Sequence, residues 1–404
     1  MKHAPHAPPR ADGVGSWQPL RNRQVTFRAY GGPEQVVMVE QADVAPPGPG
    51  EARVRVEASS LVFTDTLIRR DLYPMRRTQP GEVLGYDLVG HVESLGSATD
   101  GPRPGTRVAA LTQVGGGQDW VSLPVPALVP VPGDLDPIRI EPLILSYMTA
   151  WQSLTRLAKV NAGDRVLVVA ASGAVGFSAL DIARALGLRA VGVASSVRRA
   201  LVEGTGAEFV PYDVPGAGAR LDAVAQRDGG FAAILDGAGS EPLGAHLRRL
   251  APQGRYVTFG FTAHLRRAGP DAKGLTLLWG RLRLGLGFAT VLLREKLDPR
   301  VRSYDIFGLR TSRPDWFRDD LATLAGLLAK GIITPHVSGV FPPERAAEAH
   351  ARIEAGGVVG RLVLDLRSEK PVPNTKFEVP RAYHPSGRVV ESEVDLVTHQ
   401  PTRR

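Results

Sequence analysis

The stretch DRVLVVAASGAVGFSALDIARALG, from Asp164 to Gly187, constrains the chain more than any other. An apolar strand ending at Ala170 runs directly into the turn Ala171-Ser172-Gly173-Ala174-Val175-Gly176. A helix with apolar residues at Phe177, Leu180, Ile182, Ala183 and Leu186 follows at once. Small residues are needed at such a turn because its backbone must approach a pyrophosphate closely and the helix must pack tightly on its strand. The helix start then offers free N–H groups to the anion. Between a strand and a helix, in a chain that goes on with further strand-helix units, the pattern points to a dinucleotide site.

The surrounding texture agrees. From about Ile138 onward, short apolar strands (RVLVVA, AVGVA, FVPY, AAILDG, RYVTFG) alternate with stretches of helix length, the pattern of a doubly wound parallel sheet. Between Arg23 and Pro132 the runs QVTFRAY, VVMVE, ARVRVEA, DLVGHVESLG, TRVAALT and DWVSLP are punctuated by Gly and Pro, which predicts a small, partly open β-barrel. A last unit, HVSGVF, a helix near Pro343 to Ala355, then RLVLDL, is placed to return to that first domain. The expected organisation is a tail over 1–22, a barrel domain over 23–137 and 335–366, a dinucleotide domain over 138–334, and an extension over 367–404.

The strand after the turn selects the cofactor. NAD-selecting folds usually place Asp or Glu about 20 residues past the glycines, to accept the ribose hydroxyls. Here the strand RAVGVA runs into Ser195-Ser196-Val197-Arg198-Arg199, with no acid between Asp181 and Glu203. Two hydroxyls and two guanidinium groups suit a 2′-phosphate, so NADPH is the expected cofactor, with a solvated helix face as the alternative reading of Arg198 and Arg199. Other chemistries lack their signatures: there is no G-x-S-x-G elbow, no H-E-x-x-H, no P-loop and no Tyr-x-x-x-Lys pair. The chain has no cysteine, which removes disulfides, thiolate metal sites and thiol nucleophiles.

Taken together, several segments make the chain resemble the medium-chain dehydrogenase/reductase superfamily. They are Leu61 to Pro74 (LVFTDTLIRRDLYP), Gly85-Tyr86-Asp87-Leu88-Val89-Gly90, Met148-Thr149-Ala150-Trp151, the turn above, and Val359-Gly360-Arg361-Leu362-Val363-Leu364. Within that superfamily the resemblance is to the zinc-independent quinone oxidoreductase group, including its vesicle amine transport protein-like branch, and it runs from about Gln24 to Leu366. It implies a GroES-like substrate domain beside a Rossmann domain, usually in a homodimer. It also implies transfer of a hydride from NADPH to an activated C=C or C=O, as in quinones and α,β-unsaturated ketones. Zinc-type members carry a Cys in the early loop and a Gly-His-Glu motif. Here the loop is Val62 to Asp65 and the motif reads Gly85-Tyr86-Asp87, so the resemblance implies no metal.

By the same resemblance, Tyr73 matches a cleft tyrosine able to donate to a developing enolate, with a packed loop aromatic as the alternative. Thr149 is expected near the nicotinamide, Ser195, Arg199 and Tyr212 at the adenosine 2′-phosphate, and Gly239, Gly260 and Phe261 at strand ends on the ligand edge. Gly360 and Arg361 are expected to close on the cofactor. Val62 stands where the group commonly has Asn, which makes the pocket more apolar. Asp65 and Asp236 are read as structural, and His91 as an ordinary sheet histidine.

The net charge of +8 is mild for 404 residues. It is concentrated between Thr262 and Asp315, where 11 Lys and Arg face 5 Asp and Glu. That stretch holds the apolar run Leu275 to Leu293, which Arg281 and Arg283 interrupt. The remaining apolar part is about half the roughly 20 residues a membrane span needs. It is read as a buried or amphipathic helix, with a substrate wall or a peripheral membrane contact as alternatives. Nucleic acid is not an expected partner. The opening MKHAPHAPPRADGVGSW lacks a signal-peptide core, so a cytoplasmic protein with a small-molecule substrate is expected. The competing function is an NADPH-binding protein, weakly catalytic or non-catalytic, acting at RNA or a membrane surface.

Overall fold

The computed structural model describes residues 21–41, 44–73, 76, 78–260, 286–287 and 289–367. Residues 1–20 of the proposed tail, 368–404 of the proposed extension, Phe261, and most of the run 275–293 lie outside the described residues, while Asn22, assigned to the tail, is the first residue of a strand.

Strands β1 (Asn22–Phe27) and β2 (Val36–Gln41) form an antiparallel pair. The larger sheet of the first domain is built from β3 (Glu51–Leu61), β4 (Asp87–Leu95), β5 (Arg107–Leu111), β6 (Trp120–Pro124) and β7 (Val129–Pro130). Its rows alternate buried and open positions, as in β3, where Ala52, Val54 and Val56 point into the core while Arg55 faces out. Bridges Gln24↔Gln118 and Thr26↔Val83 connect the two-stranded sheet to it, giving the expected partly open barrel.

The second domain is a parallel sheet of six strands. They are β8 (Arg165–Val169), β9 (Arg189–Ala194), β10 (Glu208–Pro211), β11 (Phe231–Asp236), β12 (Leu250–Thr258) and β13 (Val301–Ser303). Their order, β10-β9-β8-β11-β12-β13, reverses direction between β8 and β11. Every residue of β8 is buried, as expected of a central parallel strand covered on both faces by helices. Ligands of such sheets bind outside the carboxyl ends of the strands at the reversal point, so both β8 and β11 deliver their following loops to one crevice.

The chain then returns. Strands β14 (Val337–Phe341) and β15 (Arg361–Asp365) flank the helix Ala346–Ala355. β15 pairs parallel with β14 and antiparallel with β3, Leu362 opposite Leu61, which makes the barrel sheet seven-stranded. The first domain is thus completed by residues about 300 positions downstream of β3.

A helical stretch from Pro137 to Ala158 joins the domains, and its winding is irregular. It opens to π geometry at Leu143–Tyr147 and again at Ser153–Ala158, on either side of the α-helical Met148–Gln152. Pro142 supplies one cause, since it has no N–H for the ladder. π turns of this kind are frequent at functional sites, and they set the orientation of the short segment that carries Thr149.

Candidate active site between the barrel and the parallel sheet

The turn after β8 is shaped as the sequence requires. Ala170 adopts a left-handed conformation at φ 59°, so the chain swings sharply out of the strand, and Gly173 N–H closes the turn on Ala170 O at 3.0 Å. A Cβ on Gly176 would lie 2.2 Å from Ala170 O, so only glycine lets the helix Ala174–Ala185 sit this close to its strand. That helix begins at Gly173 with no side-chain cap, leaving its first N–H groups for a ligand. Close backbone, small side chains and an open helix start are the three properties that a pyrophosphate needs, so the residues present fit a dinucleotide.

Two further strand ends lie on the same carboxyl edge of the sheet, and the return segment touches the turn itself. After β11, Gly239 takes a positive φ of 62°, and its N–H and that of Ala238 both donate to Asp236 Oδ1, at 2.9 and 2.8 Å. Asp236 is buried and also accepts from the Tyr256 hydroxyl at 2.9 Å, so its role is to hold the loop. After β12, Gly260 lies against Gly237, with no room for a side chain. From the return segment, Gly360 N–H donates to Ser172 O at 3.3 Å, at a φ of 61° where a Cβ would strike His336 O. Arg198 reaches across to the Gly357 carbonyl. Thr149 is buried in the connecting helix, beside Gln152, which accepts from the Tyr304 hydroxyl at 3.0 Å.

Arg361 does not join these residues. Its guanidinium turns into the interior, where it bonds Glu141 at 3.0 and 3.1 Å, Asp87 at 2.9 Å and Ser146 at 3.2 Å. Both acids are fully buried. Burial raises the Asp87 carboxyl well above its usual range, and Glu141 pushes the same way, while Arg361 opposes them. This cluster ties β15, β4 and the helix Pro137–Pro142 together, so the side chain expected at the cofactor serves instead to seat the return strand.

The adenosine end also departs from expectation. Ser195 and Ser196 follow β9 and Tyr212 follows β10, adjacent because Pro211 pairs with Ala194. Tyr212 is exposed. Arg199 lies 4.7 Å over the Phe209 ring and pairs with Glu203 at 2.9 Å. Asp213, which sequence reading passed over, bonds Ser196 three times: from the N–H at 2.9 and 3.0 Å and from the hydroxyl at 2.6 Å. Its signal was positional, as an acid at the end of the neighbouring strand rather than of β9 itself.

At the other end of the crevice, Tyr73 packs against the apolar clusters of both domains. Its hydroxyl lies 2.8 Å from that of Tyr86 and accepts from Gln113 Nε2 at 3.1 Å. The Tyr86 ring stands edge-on to Tyr73 and to Phe307, at 6.4 and 5.5 Å between centroids. Burial, with Tyr73 adding to it, raises Tyr86 far above the ordinary phenol range, so it stays protonated. A buried hydroxyl proton needs an acceptor, and Tyr73 oxygen is the partner in reach. When Tyr86 donates to that oxygen as Gln113 does, the Tyr73 proton is left for a third group in the cleft.

The positions that a zinc-type site would use are otherwise engaged. Asp65 is fully buried and accepts from the Val62 N–H at 3.0 Å and the Gly85 N–H at 3.4 Å, clamping the two loops to each other. Desolvation pushes its carboxyl up to about 7 against the pull of those two N–H groups. Tyr86 is committed to Tyr73 and Asp87 to Arg361, and among the described residues no three His, Asp or Glu converge on one point. These residues do not fit a catalytic metal. His91 sits in β4 with Nδ1 3.3 Å from Glu57, away from these groups.

Comparison with known proteins bears on the same two regions. Residues 48–132 match the alcohol dehydrogenase GroES-like domain family, and residues 206–364 match the zinc-binding dehydrogenase family. The chain is 31% identical over 348 residues to a quinone oxidoreductase of Pseudomonas aeruginosa, covering 85% of this chain and 99% of that protein. A quinone oxidoreductase structure from Pseudomonas syringae pv. tomato superposes with a TM-score of 0.68 at 26% identity, over 85% of this chain and 100% of the other. Mycobacterial Rv1454c complexed with NADPH superposes with a TM-score of 0.67 at 25% identity, over 85% and 100%.

Proposed function

Because the chain belongs to the medium-chain dehydrogenase/reductase superfamily, beside its quinone oxidoreductases, and is an oxidoreductase of that kind, we propose that it reduces an activated C=C or C=O without zinc, using NADPH. The observation that carries this reading is the Tyr73 hydroxyl, which holds two hydrogen bonds, one of them to Tyr86, the residue that stands at the His position of the zinc-type motif. The NADPH complex of the mycobacterial neighbour supports a nicotinamide cofactor in the same fold.

When bound, the cofactor supplies the hydride. The chain's own residues do the rest. The turn 171–176 and the open helix start hold the pyrophosphate, and the loops after β11 and β12 border the same crevice. As charge develops on the acceptor oxygen, Tyr73 donates its O–H to it, oriented by Gln113 and Tyr86. Val62 and Tyr86 are buried beside this point and keep water from competing. Asp65 and Asp87 are both tied into the protein, so neither offers a free carboxylate to oppose the developing anion. The acceptor on this reading is a small enone or quinone, and the working unit is a cytoplasmic homodimer.

The test is NADPH oxidation, followed optically, with a panel of enones and quinones in chelator-treated buffer. Turnover of at least one class is expected. Cofactor binding with no turnover of any acceptor would sink the proposal.

A further inference from the structure

Among the described residues Asp213 is the one acid that bonds the loop following β9, where a dinucleotide fold reads the adenosine ribose. The usual NAD-selecting acid stands at the end of the second strand of the fold and accepts both ribose hydroxyls. This chain has serine there, and its carboxylate comes instead from the end of the neighbouring strand, β10, two residues past the Pro211↔Ala194 rung. The Ser196 N–H and hydroxyl hold it in that place, and Asp213 itself is solvent-exposed, so a ligand can reach it.

The cations expected to favour a 2′-phosphate are meanwhile partly engaged. Arg198 bonds the Gly357 carbonyl and Arg199 pairs with Glu203. A 2′-phosphate entering here gains Ser195 and Arg199 and meets the Asp213 charge, whereas a free 2′-hydroxyl meets a carboxylate able to accept its hydrogen bond.

We propose that Asp213 is the specificity-determining residue of the cofactor site, set against the 2′-phosphate, so that the protein uses NADH as well as NADPH. This rests on the dinucleotide reading above and deepens it.

The test is the dissociation constant of the full-length protein for NADPH and for NADH, measured by calorimetry, for wild type, Asp213→Asn and Ser196→Ala. Asn keeps the shape and can still accept from the Ser196 N–H, and the position is exposed, so the fold is preserved. Wild type is expected to bind the two cofactors within about tenfold of each other. Asp213→Asn is expected to raise the NADPH-over-NADH ratio by at least about tenfold, chiefly by tightening NADPH. Ser196→Ala, which leaves the charge in place, is expected to shift it less. A wild-type preference for NADPH above about 100-fold, or an Asp213→Asn ratio within about twofold of wild type, overturns the proposal. Because the readout is binding, failure of every acceptor to turn over would defeat the reductase reading and leave this result intact.

Discussion

On the proposed reading Tyr73 carries the chemistry, and the two side chains bonded to its hydroxyl make that testable one atom at a time. Tyr73→Phe removes the donor and leaves the ring, so kcat with the best acceptor should fall by about 100-fold or more, with the cofactor dissociation constant unchanged. Tyr86→Phe and Gln113→Leu each remove one orienting bond and should lower kcat by about tenfold while KM moves little. Asp65 controls a different property. The folded chain binds its proton more tightly than the unfolded chain does, because burial lifts the carboxyl from 3.8 to about 7. Its contribution to stability is therefore complete below the unfolded value and is lost as pH rises towards 7. Asp65→Asn, which mimics the protonated acid, should flatten the melting temperature between about pH 4 and 7. A wild-type-like slope in that variant would place the pH dependence elsewhere.

Between the turn and its helix, one missing methyl group decides the geometry. Gly176→Ala would put a carbon 2.2 Å from Ala170 O, and relief requires moving the helix Ala174–Ala185 off β8. Thermal denaturation should report a loss of about 1–3 kcal/mol, and calorimetry should report weaker binding of either dinucleotide. This turn was legible in the sequence because its demands are local: close approach and an open helix start act over consecutive residues. The alternation of strands with helices was legible for the same reason. Tyr73 was legible as a candidate, but its pairing with Tyr86 and Gln113, and the place of Asp213, were not, since each depends on which loops the topology brings side by side. Arg361 shows the limit most clearly. A cation beside Gly360 reads the same whether it faces a phosphate or two buried acids, and only the positions of Asp87 and Glu141 decide.

For the whole molecule, a cofactor held as proposed would touch the turn after β8 and the return segment bonded to it, so its binding should be felt as global stability. At about 100 times its dissociation constant it should add roughly 2.7 kcal/mol, read as a raised melting temperature. Exhaustive chelation should leave both that shift and the turnover rate unchanged, given that Tyr86 and Asp87 are engaged by Tyr73 and Arg361. The closing strand has a consequence for how the chain is made. β15 completes the barrel sheet beside Ala58 to Leu61 of β3, yet leaves the ribosome about 300 residues later. At roughly 5–20 residues per second the nascent barrel waits on the order of tens of seconds with that half of β3 unpaired on one side. During that interval the exposed edge is a template for pairing with another nascent chain, and a ribosome-associated chaperone that shields it has more to protect here than the finished protein ever shows.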